Sequence, residues 1–104
     1  MQVQVHTDSS VHGSERLSHA VEAAVESAVK RWRERITRVE VHLSDVNHHK
    51  GGTDDKRCVM EARLGGLQPI AVTHNSGTVA EAVDGAAETL KKSVDTTLAR
   101  LNDR

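Results

Sequence analysis

Aromatic residues are almost missing from this chain: Trp32 stands alone, with no phenylalanine and no tyrosine. That excludes recognition of single-stranded nucleic acid by stacking bases on exposed rings. It also leaves valine, alanine and leucine to fill the interior. Cysteine is as scarce. Cys58 is the only one, which rules out an internal disulfide and a multi-cysteine zinc site. No apolar run approaches the ~20 residues needed to cross a bilayer, so no membrane partner is expected. The first residues, Met1-Gln2-Val3-Gln4-Val5, lack the basic-then-apolar pattern of a signal peptide, and a cytoplasmic location is expected. Neither sign of charge dominates. The formal net charge is −1 with seven histidines neutral, so no overall basic field exists and local patterns must decide whether nucleic acid is a partner.

What is present suits one globular domain spanning residues 1–104, with 37% hydrophobic and 28% charged residues arguing against disorder. Residues 2–7 alternate, with Val3 and Val5 on one side and Gln2, Gln4 and His6 on the other, as in a half-buried strand. Ser14 is placed to cap a helix. Leu17, Val21, Ala24, Val25, Ala28, Val29 and Trp32 follow as one apolar stripe, and the helix is expected to run on so that Lys30, Arg31, Arg33 and Arg35 occupy its last turn. Residues 36–45 alternate again, with Val39, Val41 and Leu43 opposite Arg38, Glu40, His42 and Ser44. Residues 47–55 read as a polar, glycine-containing loop.

Residues 56–64 form another alternation, with Cys58, Met60, Ala62 and Leu64 inward, and Gly65-Gly66 a hairpin-type turn. Residues 67–74 read as the last strand, with Ile70 and Val72 inward; Pro69, lacking an N–H, fits an edge or a strand start. Thr78-Val79-Ala80-Glu81 is a capping box. Val79, Val83, Ala86, Ala87, Leu90, Val94, Leu98 and Leu101 then mark a second long amphipathic helix. Gly85 inside it costs roughly 1 kcal/mol relative to alanine, and its small size lets the helix sit close to a sheet. The order β-α-β-β-β-α specifies an α+β two-layer sandwich: a four-stranded sheet with two helices on one face. Gln4, His6, Arg38, Glu40, His42, Glu61, Arg63 and Thr73 are left on the other.

Charge is clustered. Lys30, Arg31, Arg33, Arg35 and Arg38 are five cations within nine residues, opposed only by Glu34. They suit phosphate contacts, and equally a solvated helix end that complements the helix dipole. Lys91, Lys92 and Arg100 form a thinner set, interleaved with Asp84, Glu88 and Asp95, and read from composition as a salt-bridged exposed face. His48, His49, Asp54 and Asp55 share a loop near Cys58. Zinc needs three or four converging ligands at about 2.0–2.3 Å, and Cys58 points inward, so no metal is expected there. An enzyme is not expected either. His42, Glu40 and Glu61 share a flat face that excludes no water, Cys58 lacks an exposed base, and Gly51-Gly52 and Gly65-Gly66 match neither the dinucleotide nor the P-loop spacing.

The run Glu81-Ala82-Val83-Asp84-Gly85-Ala86-Ala87-Glu88-Thr89-Leu90-Lys91-Lys92 resembles the last helix of the ribosome hibernation-promoting factor / ribosome-associated inhibitor family (sigma modulation protein, S30AE-like). The preceding Ile70-Ala71-Val72-Thr73-His74, the run from Ile36 to Leu43 and a helix opening near Glu15-Arg16-Leu17 are similar to that family as well, so the likeness covers essentially the whole chain. The chain differs where the family often has an Asp-Met-Tyr helix start, reading Thr78-Val79-Ala80 instead, and Thr89, Thr96 and Leu98 stand where lysine is common.

The resemblance implies a fold akin to double-stranded-RNA-binding domains. It implies binding to the small ribosomal subunit and its 16S rRNA, in the channel for messenger and transfer RNA, with translation inhibited and idle ribosomes preserved under stress or in stationary phase. On this likeness Lys91, Lys92 and Arg100 match basic positions of the last helix, and Lys30, Arg31 and Arg33 fall where the first helix ends; these are the expected rRNA-binding residues. No cofactor and no small-molecule substrate are implied. The C-terminal dimerisation domain of long members is not expected, and a monomer is expected off the ribosome. The competing reading is a protein-interaction module on the same fold without ribosome binding.

Overall fold

The computed structural model describes residues 1–9, 11–46 and 56–102. The elements follow in the order β1 (Gln2–Thr7), α1 (Glu15–Val29), a 3₁₀ segment (Lys30–Arg35), β2 (Ile36–Asp45), β3 (Lys56–Leu64), β4 (Ile70–Ser76) and α2 (Val79–Asn102). The strands form one sheet in the order β1-β2-β3-β4. β1 runs parallel to β2, as its long helical connection requires, and the other pairings are antiparallel. The polar run 47–55, with His48, His49, Asp54 and Asp55, lies outside the described residues.

Period-2 patterning sorts the strands as anticipated. Val39, Val41, Leu43, Cys58, Met60, Ala62, Leu64 and Val72 are buried in one core with Val21, Val25 and Val29 of α1 and seven residues of α2 from Ala82 to Leu98. With no phenylalanine or tyrosine, the largest fully buried side chains are Ile36, Met60, Leu90 and Leu98. No charged or polar residue is buried among the described residues, so apolar packing holds the layers together. Burial pushes the Cys58 thiol up to about 12. It therefore stays protonated at neutral pH and is no nucleophile.

Ser14 caps α1 as expected, its Oγ accepting from the Leu17 N–H at 3.1 Å. Thr78 caps α2, accepting from the Glu81 N–H at 3.1 Å. The Glu81 carboxylate closes back on the threonine itself, accepting its hydroxyl at 3.0 Å.

Three local features depart from the sequence pattern. The first helix does not continue to Arg35. It gives way after Val29 (φ −110°, ψ 16°), and Trp32 (φ −114°, ψ 18°) interrupts the 3₁₀ segment. Tighter winding brings residues three apart into line, which keeps Trp32 under Val29 and delivers the chain to β2. The basic residues consequently stand on the 3₁₀ segment, and the last turn of α1 holds no basic residue. Second, Ile36 and Val39 are both buried although an odd number of residues apart. A bulge accounts for this, since the partners step from Leu64 to Arg63 while β2 steps from Ile36 to Arg38. Thr37 secures it, donating its hydroxyl to the Arg63 carbonyl at 3.0 Å. Third, β4 begins at Ile70, because Gly66 (φ 77°) turns the chain and Pro69 has no N–H to pair.

Gly85 has a definite partner. A Cβ at this position would run into the ring of His74, whose imidazole occupies the notch between β4 and α2.

Candidate nucleic-acid interface

The 3₁₀ segment and α2 meet beside the core and leave a shallow groove of about 320 Å³ between them. Ser27 and Ala28 give it a floor of small side chains, and Lys30, Arg31, Lys91 and Asp95 line its walls. Trp32 organises this corner. Its indole is buried, and Nε1 donates to Asp95 Oδ1 at 2.9 Å, tying the 3₁₀ segment to α2. The Arg31 guanidinium lies 4.6 Å from the centre of the Trp32 ring, a cation–π contact that holds a mobile side chain at the groove. Lys91 Nζ reaches the second oxygen of the same carboxylate at 3.4 Å. Three cations thus line the groove with one acid, Asp95, and Lys91 is the cation that pairs with it. That pair is partly exposed and screened, and Lys30 and Arg31 stand beside it, so the groove keeps positive charge for an anionic partner.

The structure therefore brings Lys30, Arg31 and Lys91 together. Lys92 is exposed one residue further on, about 100° around the helix. Arg33 is 65% exposed and stands 3.9 Å from Glu26. Arg100 does not join the set. Nine residues beyond Lys91 it lies about 180° around α2, beside Leu67, Gln68, Pro69, Ile70, Thr97 and Leu101. Towards the start of α2 the surface beside Lys91 turns acidic, with Asp84 and Glu88.

Arg38, the last member of the five-cation run, is on the opposite side of the molecule. On the open sheet face it donates through Nη2 to Glu40 Oε2 at 3.0 Å. Arg63 approaches the same oxygen at 3.5 Å and Glu61 Oε1 at 3.0 Å. Arg38 faces Arg63 and Glu40 faces Glu61 across β2 and β3, so the attractive contacts run within a strand and along the diagonal. Beside this network His6 and His42 stack at 4.7 Å with their planes 15° apart.

Trp32 and Asp95 as an organising pair were not legible in the sequence. The one signal for them was the lone aromatic at the end of an apolar stripe.

The sequence model of the sigma 54 modulation protein / S30EA ribosomal protein family matches residues 3–102. No curated protein sequence matches the chain significantly. Among solved structures, a ribosomal subunit interface protein from Coxiella burnetii superposes with a TM-score of 0.78 at 19% identity, covering 95% of this chain and 99% of that one. The N-terminal domain of Thermus thermophilus Protein Y gives a TM-score of 0.74 at 17% identity, covering 93% of this chain and 99% of that one. These two share the fold of this chain. With the family match covering nearly every residue, the chain belongs to the sigma 54 modulation protein / S30EA ribosomal protein family.

Proposed function

We propose that this protein is a ribosome-associated factor that binds the small subunit through its rRNA and blocks the messenger and transfer RNA channel under stress, acting by occlusion and not by chemistry. Family membership across residues 3–102 is the observation that carries this reading. The convergence of Lys30, Arg31 and Lys91 on one groove supports a phosphate-facing surface there, with Lys92 and Arg33 at its margins. Arg100, on the far side of α2, is a separate contact. The site of action is the cytoplasm, and the protein works as a monomer off the ribosome.

A second reading, a protein partner on the same fold, is favoured by the acids that shadow the cations: Asp95 on Lys91 and Glu26 on Arg33.

Sedimentation with ribosomes through sucrose gradients at low and moderate salt separates the two. Comigration with the small subunit, lost as salt rises and weakened by Lys91→Glu/Lys92→Glu, fits rRNA binding. Absence of comigration at low salt favours the protein partner.

A further inference from the structure

We propose that His6, Glu40 and His42 form a binding site for a divalent first-row transition ion of the zinc type on the open face of the sheet. The site is separate from the groove and does not depend on the ribosomal reading.

The fold brings the three donors together in mid-strand. His6 of β1 is the register partner of His42 of β2. Glu40 precedes His42 by two residues on the same strand and shares its face. Two adjacent strands, with backbones fixed by the sheet, thus gather two imidazole nitrogens and one carboxylate oxygen in one place, and the stacked rings turn to face an ion. That donor set suits zinc and its neighbours, with the remaining positions left to water.

The distances are close to what one ion requires. The donor atoms lie within 4.8 Å of one another. His6 Nε2 stands 3.6 Å from Glu40 Oε1. Ligands about 2.0–2.1 Å from a tetrahedral ion lie roughly 3.3 Å apart, so the widest donor pair must close by about 1.5 Å. Both histidines are exposed and have room to make that movement.

Supporting contacts orient the carboxylate. Arg38 and Arg63 both engage Glu40 Oε2, leaving Oε1 turned towards His6. Holding a ligating carboxylate through its other oxygen is how surrounding groups commonly fix metal ligands. The two guanidiniums also repel a cation, and Glu40 and Glu61 offset them.

The plainer account of the cluster is a stacked imidazole pair beside a surface ion-pair network. Titration of the chain with Zn²⁺ by calorimetry separates the two, with Co²⁺ absorption as a second readout. The proposal expects one ion per chain and at least tenfold weaker binding in His6→Gln and in His42→Gln. It expects unchanged binding in His48→Gln/His49→Gln, which removes the other paired histidines. Imidazole resonances of the unaltered protein supply a test that needs no variant: His6 and His42 shift selectively on Zn²⁺ addition. Full affinity in both His6→Gln and His42→Gln, loss only in His48→Gln/His49→Gln, or shifts confined to other histidines would each overturn the site.

Discussion

On the helix side of the molecule Lys30, Arg31 and Lys91 line one groove with a single acid, Asp95, which pairs with Lys91. On the sheet side Arg38 and Arg63 are set against Glu40 and Glu61, each arginine within 3.5 Å of an acid. The first region has charge to offer a polyanion, and the second has spent its charge on itself. Counting cations along the sequence does not separate them, because Arg38 belongs to the same basic run as Lys30 and Arg31. What separates them is the turn from the 3₁₀ segment into β2, which sends Arg38 through the bulge at Thr37 to the far side of the sheet. A basic cluster in sequence is therefore two different surfaces in space.

The harshest way to break the contrast is at Trp32. Trp32→Ala removes the buried ring that seats the 3₁₀ segment and is expected to cost about 3–5 kcal/mol in urea unfolding. Trp32→Phe keeps the packing and loses the bond to Asp95, and is expected to cost about 1 kcal/mol.

Next comes the seating of α2, which sets where Lys91 stands. Gly85→Ala drives a methyl into the His74 ring and is expected to cost roughly 1–3 kcal/mol. His74→Ala in the same chain should relieve most of that, giving a favourable coupling in a double-mutant cycle.

Charge then sharpens the contrast directly. Lys30→Glu/Lys91→Glu is expected to weaken small-subunit binding at least tenfold in a filter or sedimentation assay. Removing a cation that neutralises one phosphate should shallow the salt slope by roughly 0.7–0.9. Asp95→Asn acts in the opposite sense. It keeps an acceptor for Trp32 and releases Lys91, so binding is expected to tighten by roughly twofold, with stability changed by under about 1 kcal/mol.

The smallest effect belongs to Cys58. Between its ordinary value of 9.0 and about 12 the unfolded chain gives up the thiol proton while the folded chain keeps it. Stability should therefore fall as pH rises above 9.0, and Cys58→Ala should show the shallower decline in urea midpoints at pH 8 and 10.

Much of the fold was legible because its signals are local. Alternation placed β1, β2 and β3, and the hydroxyls of Ser14 and Thr78 marked where both helices begin. The expected strand over 67–74 started too early because Leu67 and Pro69 fit the apolar pattern, yet Pro69 cannot pair and Gly66 turns the chain. Ile36 escaped the alternation because a bulge depends on the partner strand.

The candidate groove was half legible. Lys30, Arg31 and Lys91 were singled out, but their joint organiser, the Trp32–Asp95 bond, spans 63 residues of sequence. Arg100 was grouped with Lys91 along the sequence, although nine residues of helix place it about half a turn away. The His6–His42 stack was illegible for the same kind of reason, since parallel register is set by a crossover and not by neighbouring residues.

The most direct test compares the two surfaces in one assay. Small-subunit dissociation constants should be measured across a salt series for the unaltered protein, for Lys30→Glu/Lys91→Glu and for Arg38→Gln/Arg63→Gln. At least tenfold loss and a shallower salt slope are expected for the groove variant, with less than twofold change for the sheet variant. Equal losses in both, or loss confined to the sheet variant, would contradict binding through the groove.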